Sequence, residues 1–263
     1  MRPAATARRA AAAAAPADPG RVANPLDREL TDELSRFEAA GLRRRLPPPD
    51  ACARVDLRSN DFLGLRRDAT VVAAMREALA RHGAGSGAAR LLGGGAAADH
   101  AEALLAEWLG VEAALLFPSG FQANLGVLGA LAGPGDVVCS DALNHASLVD
   151  GCRLTRAHVL RFAHGDRDEL ARQLERAKGA RRRLIAIESL HGMDGDLAPL
   201  AALNELAERH DAWLVVDEAH AAGVLGPRGT GGWAAAGLPN TRLAARVVTG
   251  GKALGVAGAF VAG

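Results

Sequence analysis

The sequence predicts an α/β fold, a mostly parallel sheet covered by helices on both faces, and three observations carry that expectation. Short runs rich in Val, Ile and Leu alternate with helical stretches through the second half of the chain. These runs are apolar without strict alternation, as strands buried on both faces are. Polar residues gather just after the runs, where parallel sheets bind ligands beyond the carboxyl ends of their strands.

Taken in order, the opening "MRPAATARRAAAAAAPADPGRVANP" is rich in Ala, Arg and Pro, and residues 1–25 are expected to be a disordered leader. The stretch lacks the serines of an organellar transit peptide. From Leu26, "LDRELTDELSRFEAAGLRRRL" places apolar residues three and four apart, which predicts a helix ending near Gly41. Pro47, Pro48 and Pro49 then break the pattern, and "RVDLRSNDFLGL" reads as a small strand and a turn. A helix is expected over 70–82. Residues 26–69 thus form an N-terminal helix and short strand segment, and 70–263 a large domain. After the glycine-rich "GAGSGAARLLGGGAAADH", strands are expected at "ALLF", "DVVCSD", "HVLRF", "RLIAIES", "WLVVDEAH", "RVVT" and "GAFVA". Helices are expected over 121–131, 145–156, 166–177 and 200–210.

Composition excludes several roles. With 263 residues and 49% hydrophobic content, the chain can bury a large core. Lys and Arg number 31 against 30 Asp and Glu, so the net charge of +1 gives no reason to expect a nucleic-acid or membrane-surface partner. No apolar run reaches membrane-spanning length. Cys52, Cys139 and Cys152 show no CxxC spacing, which fits a reducing compartment, the cytoplasm, and predicts neither a disulfide framework nor a metal site.

The strand ends carry the chemistry: Ser119 and Gly120 after "LLFP", Asp141, Asn144 and His145 after "VVCS", Glu188, Asp217 with His220, and Thr249 with Lys252. An unpaired carboxylate at the end of a buried strand is costly, so Asp217 calls for a cationic partner. A lysine in a tight, partly desolvated site loses its proton more readily, which favours Schiff-base chemistry with a carbonyl. The glycines around Lys252 are expected to let a flat ring approach the backbone. An aldehyde cofactor with a protonated ring nitrogen needs a lysine, a carboxylate and phosphate donors, and pyridoxal 5'-phosphate matches that set. "SGFQAN", in which Ser119, Gly120 and Phe121 open a helix, offers N–H groups to a phosphate.

The blocks "SNDFLGL", "GSGAARLLGG", "LFPSGFQANLGVL", "DALNHASLVDG", "MDGDLAPL", "VVDEAHAAGVLGPRGTGG" and "VVTGGKALGVAGA" together resemble the α-oxoamine synthase family of fold-type-I pyridoxal-phosphate enzymes. The resemblance runs from about Leu26 to the end, and it implies the large domain of that fold. It implies three catalytic residues: Lys252 to bind the cofactor aldehyde and later move protons at the substrate Cα, Asp217 to pair with the pyridinium nitrogen, and His145 to stack on the ring. It further implies that His220 bonds the phenolic oxygen, that Thr249, Gly120 and Phe121 help hold cofactor and phosphate, and that Arg43 contacts substrate. The implied reaction is decarboxylative condensation of an amino acid with an acyl thioester in a homodimer. "RFAHGD" and "MDGDLAPL" lean toward L-alanine with a pimeloyl thioester; the alternatives are glycine with acetyl-CoA or succinyl-CoA, serine with a long acyl chain, or an inactive remnant.

Three departures stand out. Gly192 occupies a position where the resemblance leads one to expect serine, Ala88 and Ala89 replace a Gly-Ser pair, and a small C-terminal domain is expected to be missing. A helicase-like ATPase, suggested by "VVDEAH", lacks its phosphate loop, GxxxxGK[ST].

Overall fold

A computed structural model describes residues 24–46, 56–92 and 95–263. It divides into two compact units, Met1–Asp56 and Leu57–Gly263. In the first, helix α1 (Pro25–Ala39) starts where Asn24 accepts the Leu26 N–H at 3.1 Å and proline takes the first helical position, where no N–H partner is needed. Arg43 and Arg45 both pair with Glu38 just beyond that helix, at 3.0 and 2.9 Å.

The second unit opens with turns rather than the small strand expected in "RVDL": from Asp56 to Gly64 no residue is in a strand, while Arg54 and Val55 lie outside the described residues. In the turn that follows, the Ser59 hydroxyl accepts the Asp61 N–H at 3.2 Å, and Asp61 in turn accepts the Arg66 N–H. Helix α2 (Ala69–His82) follows, capped by Asp68 through the N–H groups of Thr70 and Val71. Helix α3 (Ala96–Leu109) is an addition to the expected elements, hidden in sequence by the glycine-rich segment before it. Its Ala, Leu and Glu content favours a helix, and Gly110 ends it in the left-handed conformation at φ 65°.

From there strands and helices alternate: β1 (Ala114–Phe117), α4 (Gly120–Leu131), β2 (Val137–Asp141), α5 (Ala146–Leu154), β3 (His158–Phe162), α6 (Arg167–Arg176), β4 (Arg183–Glu188), α7 (Leu200–Arg209), β5 (Trp213–Asp217), α8 (Gly232–Ala235), β6 (Leu243–Thr249) and β7 (Ala259–Ala262). The sheet order is β1-β7-β6-β5-β4-β2-β3. Only β7 runs against the rest, antiparallel to both β1 and β6.

Helices α4 and α5 cover one face, burying Val127, Leu128 and Leu148 against Val138, Val215 and Val247. Helices α6, α7 and α8 cover the other, burying Leu170, Leu203 and Trp233 against Ile185, Leu214 and Val216. Leu109 of α3 packs on Val248 and Phe260. Leu214, Val215 and Val216 are all fully buried, which is why the strand shows no alternation in sequence. Each such side chain contributes about 1.5–3 kcal/mol of transfer free energy. Cys139 and Cys152 are free and buried, with thiols pushed up to about 12 and about 11 by burial. Among the described residues no helix is long and apolar enough to cross a membrane.

Candidate active site

Because β1 to β6 all point the same way, their carboxyl ends share one rim, and a cleft of ≈ 140 Å³ opens there. Seven of the residues singled out in the sequence line it: Gly120, Phe121, His145, Glu188, Asp217, Thr249 and Lys252. Asn124, Ser147 and Ala219 line it as well.

Asp217 ends β5 and is 5% exposed. Its carboxylate accepts the Asn124 side-chain amide at 2.7 Å and the Ala219 N–H at 2.8 Å, so the partners it needs in the chain are a side chain of α4 and its own following turn. Asn124 also donates to the Ser147 hydroxyl at 2.9 Å, tying α4 to α5 beneath the cleft.

His145 is the cap of α5, its Nδ1 accepting the Ser147 N–H at 3.2 Å and meeting the Ser147 hydroxyl at 2.7 Å. The loop that carries it is stitched down at both ends. Asn144 donates to the Ala186 carbonyl at 2.8 Å, and the Leu143 N–H donates to Asp141 at 2.8 Å. The His145 N–H itself donates to Glu188 at 2.6 Å. Phe121 stands edge-on to the imidazole, with ring centroids 6.4 Å apart.

Lys252 lies in the turn after β6, closed by bonds from Gly250 N–H to the Gly258 carbonyl and from Val256 N–H to the Gly250 carbonyl. Burial lowers its pKa, against the pull of Asp217 and Glu188. Two of the glycines around it also have a packing role. A Cβ on Gly250 would sit 2.8 Å from the Val256 carbonyl oxygen and one on Gly255 2.4 Å from the Arg66 nitrogen, so both let the chain pack on its own backbone. A Cβ on Gly120 would stand 3.4 Å from the Thr249 Cβ, and one on Gly251 3.7 Å from its hydroxyl oxygen. The Thr249 hydroxyl accepts the Gly251 N–H at 3.3 Å.

Glu188 is 6% exposed, and burial, then the Asp217 charge, raises its pKa to about 7. His220 stands beside this cleft rather than in its lining: a Cβ on Gly192 would fall 2.2 Å from its Nε2. Burial lowers the His220 pKa, and the Lys252 charge lowers it further. Arg43 belongs to the first unit. A first-turn position on α4 leaves the Gly120 and Phe121 N–H groups without an acceptor inside the helix.

The sequence model of the family described as aminotransferase class I and II matches residues 54–263. The chain belongs to that family. A curated relative named 8-amino-7-oxononanoate synthase, from Anaeromyxobacter sp. (strain K), is 52% identical over 242 residues, covering 88% of this chain and 60% of that protein. The protein of the same name from Azoarcus sp. (strain BH72) is 51% identical over 249 residues, covering 90% and 63%. Among solved structures, the Sphingomonas wittichii serine palmitoyltransferase matches with a TM-score of 0.77 at 32% identity, over 91% of this chain and 64% of that one. The 8-amino-7-oxononanoate synthase of Francisella tularensis matches with a TM-score of 0.68 at 27% identity, over 79% and 58%. Both kinds of neighbour are α-oxoamine synthases, the group whose motifs this sequence resembles, and the fold-type-I architecture is the one expected. The chain spans about 60% of the length of the curated relatives it matches.

Sequence reasoning missed Asn124 and Ser147 as site residues. "SGFQAN" displayed Asn124, and "NHAS" displayed Ser147, but nothing in either block says that they meet across two helices under Asp217.

Proposed function

We propose that the chain carries the pyridoxal 5'-phosphate site of an acyltransferase that joins L-alanine to a pimeloyl thioester, yielding 8-amino-7-oxononanoate, CO2 and the free thiol carrier for biotin synthesis. The observation that carries this reading is the meeting of Lys252, its amine pKa depressed by burial, with the buried Asp217 carboxylate in one cleft. The relatives at 51–52% identity are named 8-amino-7-oxononanoate synthase, after the product of that condensation, and support this choice of substrates.

The residues fit the cofactor. An amine, a buried carboxylate and open helix N–H groups are the donor set that an aldehyde, a ring nitrogen and a phosphate require. Asn124 Oδ1, buried and without a partner among the described residues, adds polar capacity at the cleft wall. When bound, the cofactor supplies a carbonyl that captures the amino group and a ring that draws electrons from the substrate Cα.

The chain's own residues do the rest. Lys252 would hold the aldehyde and would take and return a proton at the substrate Cα. Asp217, held by Asn124, keeps a proton on the ring nitrogen. His145, fixed by Ser147 and Glu188, would stack on the ring and contact the substrate. Thr249, Gly120 and Phe121 would help hold the cofactor and its phosphate, and His220 its phenolic oxygen; Arg43, a residue of the first unit, would contact substrate. A homodimer working in the cytoplasm, on small molecules and without nucleic acid or membrane, completes the reading.

Borohydride reduction in the presence of pyridoxal 5'-phosphate, followed by peptide mapping, tests the site: a pyridoxyl label on Lys252 is expected, and its absence refutes the assignment. The serine palmitoyltransferase neighbours favour a second reading, serine with a long acyl chain. Turnover by the full-length protein with alanine and pimeloyl-CoA against serine and palmitoyl-CoA separates the two.

A further inference from the structure

A second cluster of ligating side chains lies along the same rim but outside the cleft, on loops that follow β2, β3 and β4. Asp141, His164 and His191 each bring one ligand atom within 4.8 Å of the others. His191 is 2% exposed, yet neither of its ring nitrogens has a hydrogen-bond partner among the described residues. A buried imidazole with both nitrogens idle forfeits about 1–3 kcal/mol for each unsatisfied group. The fold does nothing locally to relieve it. Its ring packs edge-on to His164 at a centroid distance of 4.3 Å, and the nearest carboxylate oxygen on its own loop, from Asp196, is 4.0 Å from Nδ1, beyond bonding range.

The groups around it are arranged as supports for a ligand. His164 Nδ1 sits 2.9 Å from Asp141 Oδ1, and its other nitrogen, Nε2, sits 3.0 Å from Asp196 Oδ2. A metal-bound histidine commonly donates its far N–H to a carboxylate, which fixes tautomer and orientation. Asp141 is held in the same way: the Leu143 N–H donates to one oxygen and the Gly165 N–H to the other, at 2.8 and 3.0 Å. The oxygens therefore keep their remaining lone pairs for a cation.

We infer that Asp141, His164 and His191 form a binding site for a divalent transition-metal ion of the zinc class, with Asp196 orienting His164 from behind. Two imidazole nitrogens and one carboxylate oxygen match the donor preference of such ions, whereas calcium and magnesium take more oxygens. Bonds of about 2.0–2.2 Å in a tetrahedral site need donors roughly 3.4 Å apart, so modest turns of the two rings close the cluster, and water fills the fourth position. When the metal takes His164 Nδ1, the proton shared with Asp141 leaves to solvent and the Nε2 proton stays on the imidazole, donated to Asp196. The bound ion ties three rim loops together, including the one that carries Gly192 against His220. No sequence pattern announces the site. Its ligands fall 23 and 27 residues apart, on three different strand ends, with no short spacing to read.

The test uses the protein stripped with a chelator and titrated with Co2+. One equivalent should give the intense visible bands of a tetrahedral site, and Zn2+ should displace it. His191→Phe should weaken binding at least about 100-fold and Asp196→Asn about 10–100-fold, while His145→Ala, in the neighbouring cleft, and the exposed His100→Ala should leave it unchanged. Should His191→Phe fail to fold, zinc X-ray absorption on the unaltered protein decides, with scattering from two imidazoles expected. The inference is overturned by no spectral change at stoichiometric Co2+, by bands that survive in folded His191→Phe, or by an absorption spectrum without two imidazoles. None of these outcomes depends on the pyridoxal-phosphate reading.

Discussion

Replacing Glu188 by glutamine should flatten the pH dependence of stability over a defined window. The carboxyl is 6% exposed, and its pKa is raised from 4.5 to about 7 by burial and by the Asp217 charge. Because the folded value lies above the unfolded one, the folded state binds the proton more tightly. Its contribution is complete below about pH 4.5 and is lost as the pH rises through about 7. At roughly 1.4 kcal/mol per pH decade, the gap corresponds to about 3 kcal/mol in all, of which about 2.5 kcal/mol falls between pH 5 and pH 8. Glutamine keeps an oxygen for the His145 N–H, the 2.6 Å bond, but carries no proton to lose. Urea unfolding of both proteins without added cofactor, followed by circular dichroism from pH 5 to pH 8, isolates the effect, since other groups cancel in the difference. The variant should gain about 2.5 kcal/mol on the wild type across that range. Parallel curves, within about 0.5 kcal/mol, would show that Glu188 titrates normally and refute the reasoning.

Asp217→Ala removes the acceptor for the buried Asn124 amide and the half-buried Ala219 N–H, and at about 1–3 kcal/mol for a stranded buried donor it should lower the unfolding free energy by at least roughly 1–3 kcal/mol; an unchanged melting temperature would contradict this. Gly151→Ala in α5 places a Cβ 2.8 Å from Leu128 Cδ1 and 3.1 Å from the Asn124 carbonyl oxygen. Overpacking of about 1–3 kcal/mol should outweigh the gain of about 1 kcal/mol in helix propensity, and a more stable variant in urea would overturn that balance.

The sheet was legible because its strands are buried on both faces: "LIAIE" and "WLVV" can satisfy neither a helix face nor a half-wet strand. The polar residues at the strand ends were legible too, since parallel strands collect those ends at one rim. Strand direction was less so. "GAFVA" reads as a strand, yet nothing in it says that β7 runs against β1 and β6. The site was readable residue by residue at strand ends and unreadable wherever function depends on partners far apart in the chain. Asn124 lies 93 residues from Asp217, and His145 lies 43 from Glu188, so no spacing rule connects them.

Gly192 shows how geometry changes the meaning of a departure from pattern. Judged by sequence, a glycine where serine is expected removes one polar contact. In the fold, the space of that side chain is already taken by the His220 imidazole, whose Nε2 would stand 2.2 Å from a Cβ. Glycine at 192 and the position of His220 are therefore one arrangement, and a serine returned there must displace the ring before it can offer a hydroxyl. Glu188 binds this loop to the other wall of the cleft: one oxygen accepts the His145 N–H at 2.6 Å and the other the Gly192 N–H at 3.4 Å. Glu188 thus holds the His145 backbone and the Gly192 loop at once, and burial, then the Asp217 charge, raises its pKa toward neutrality.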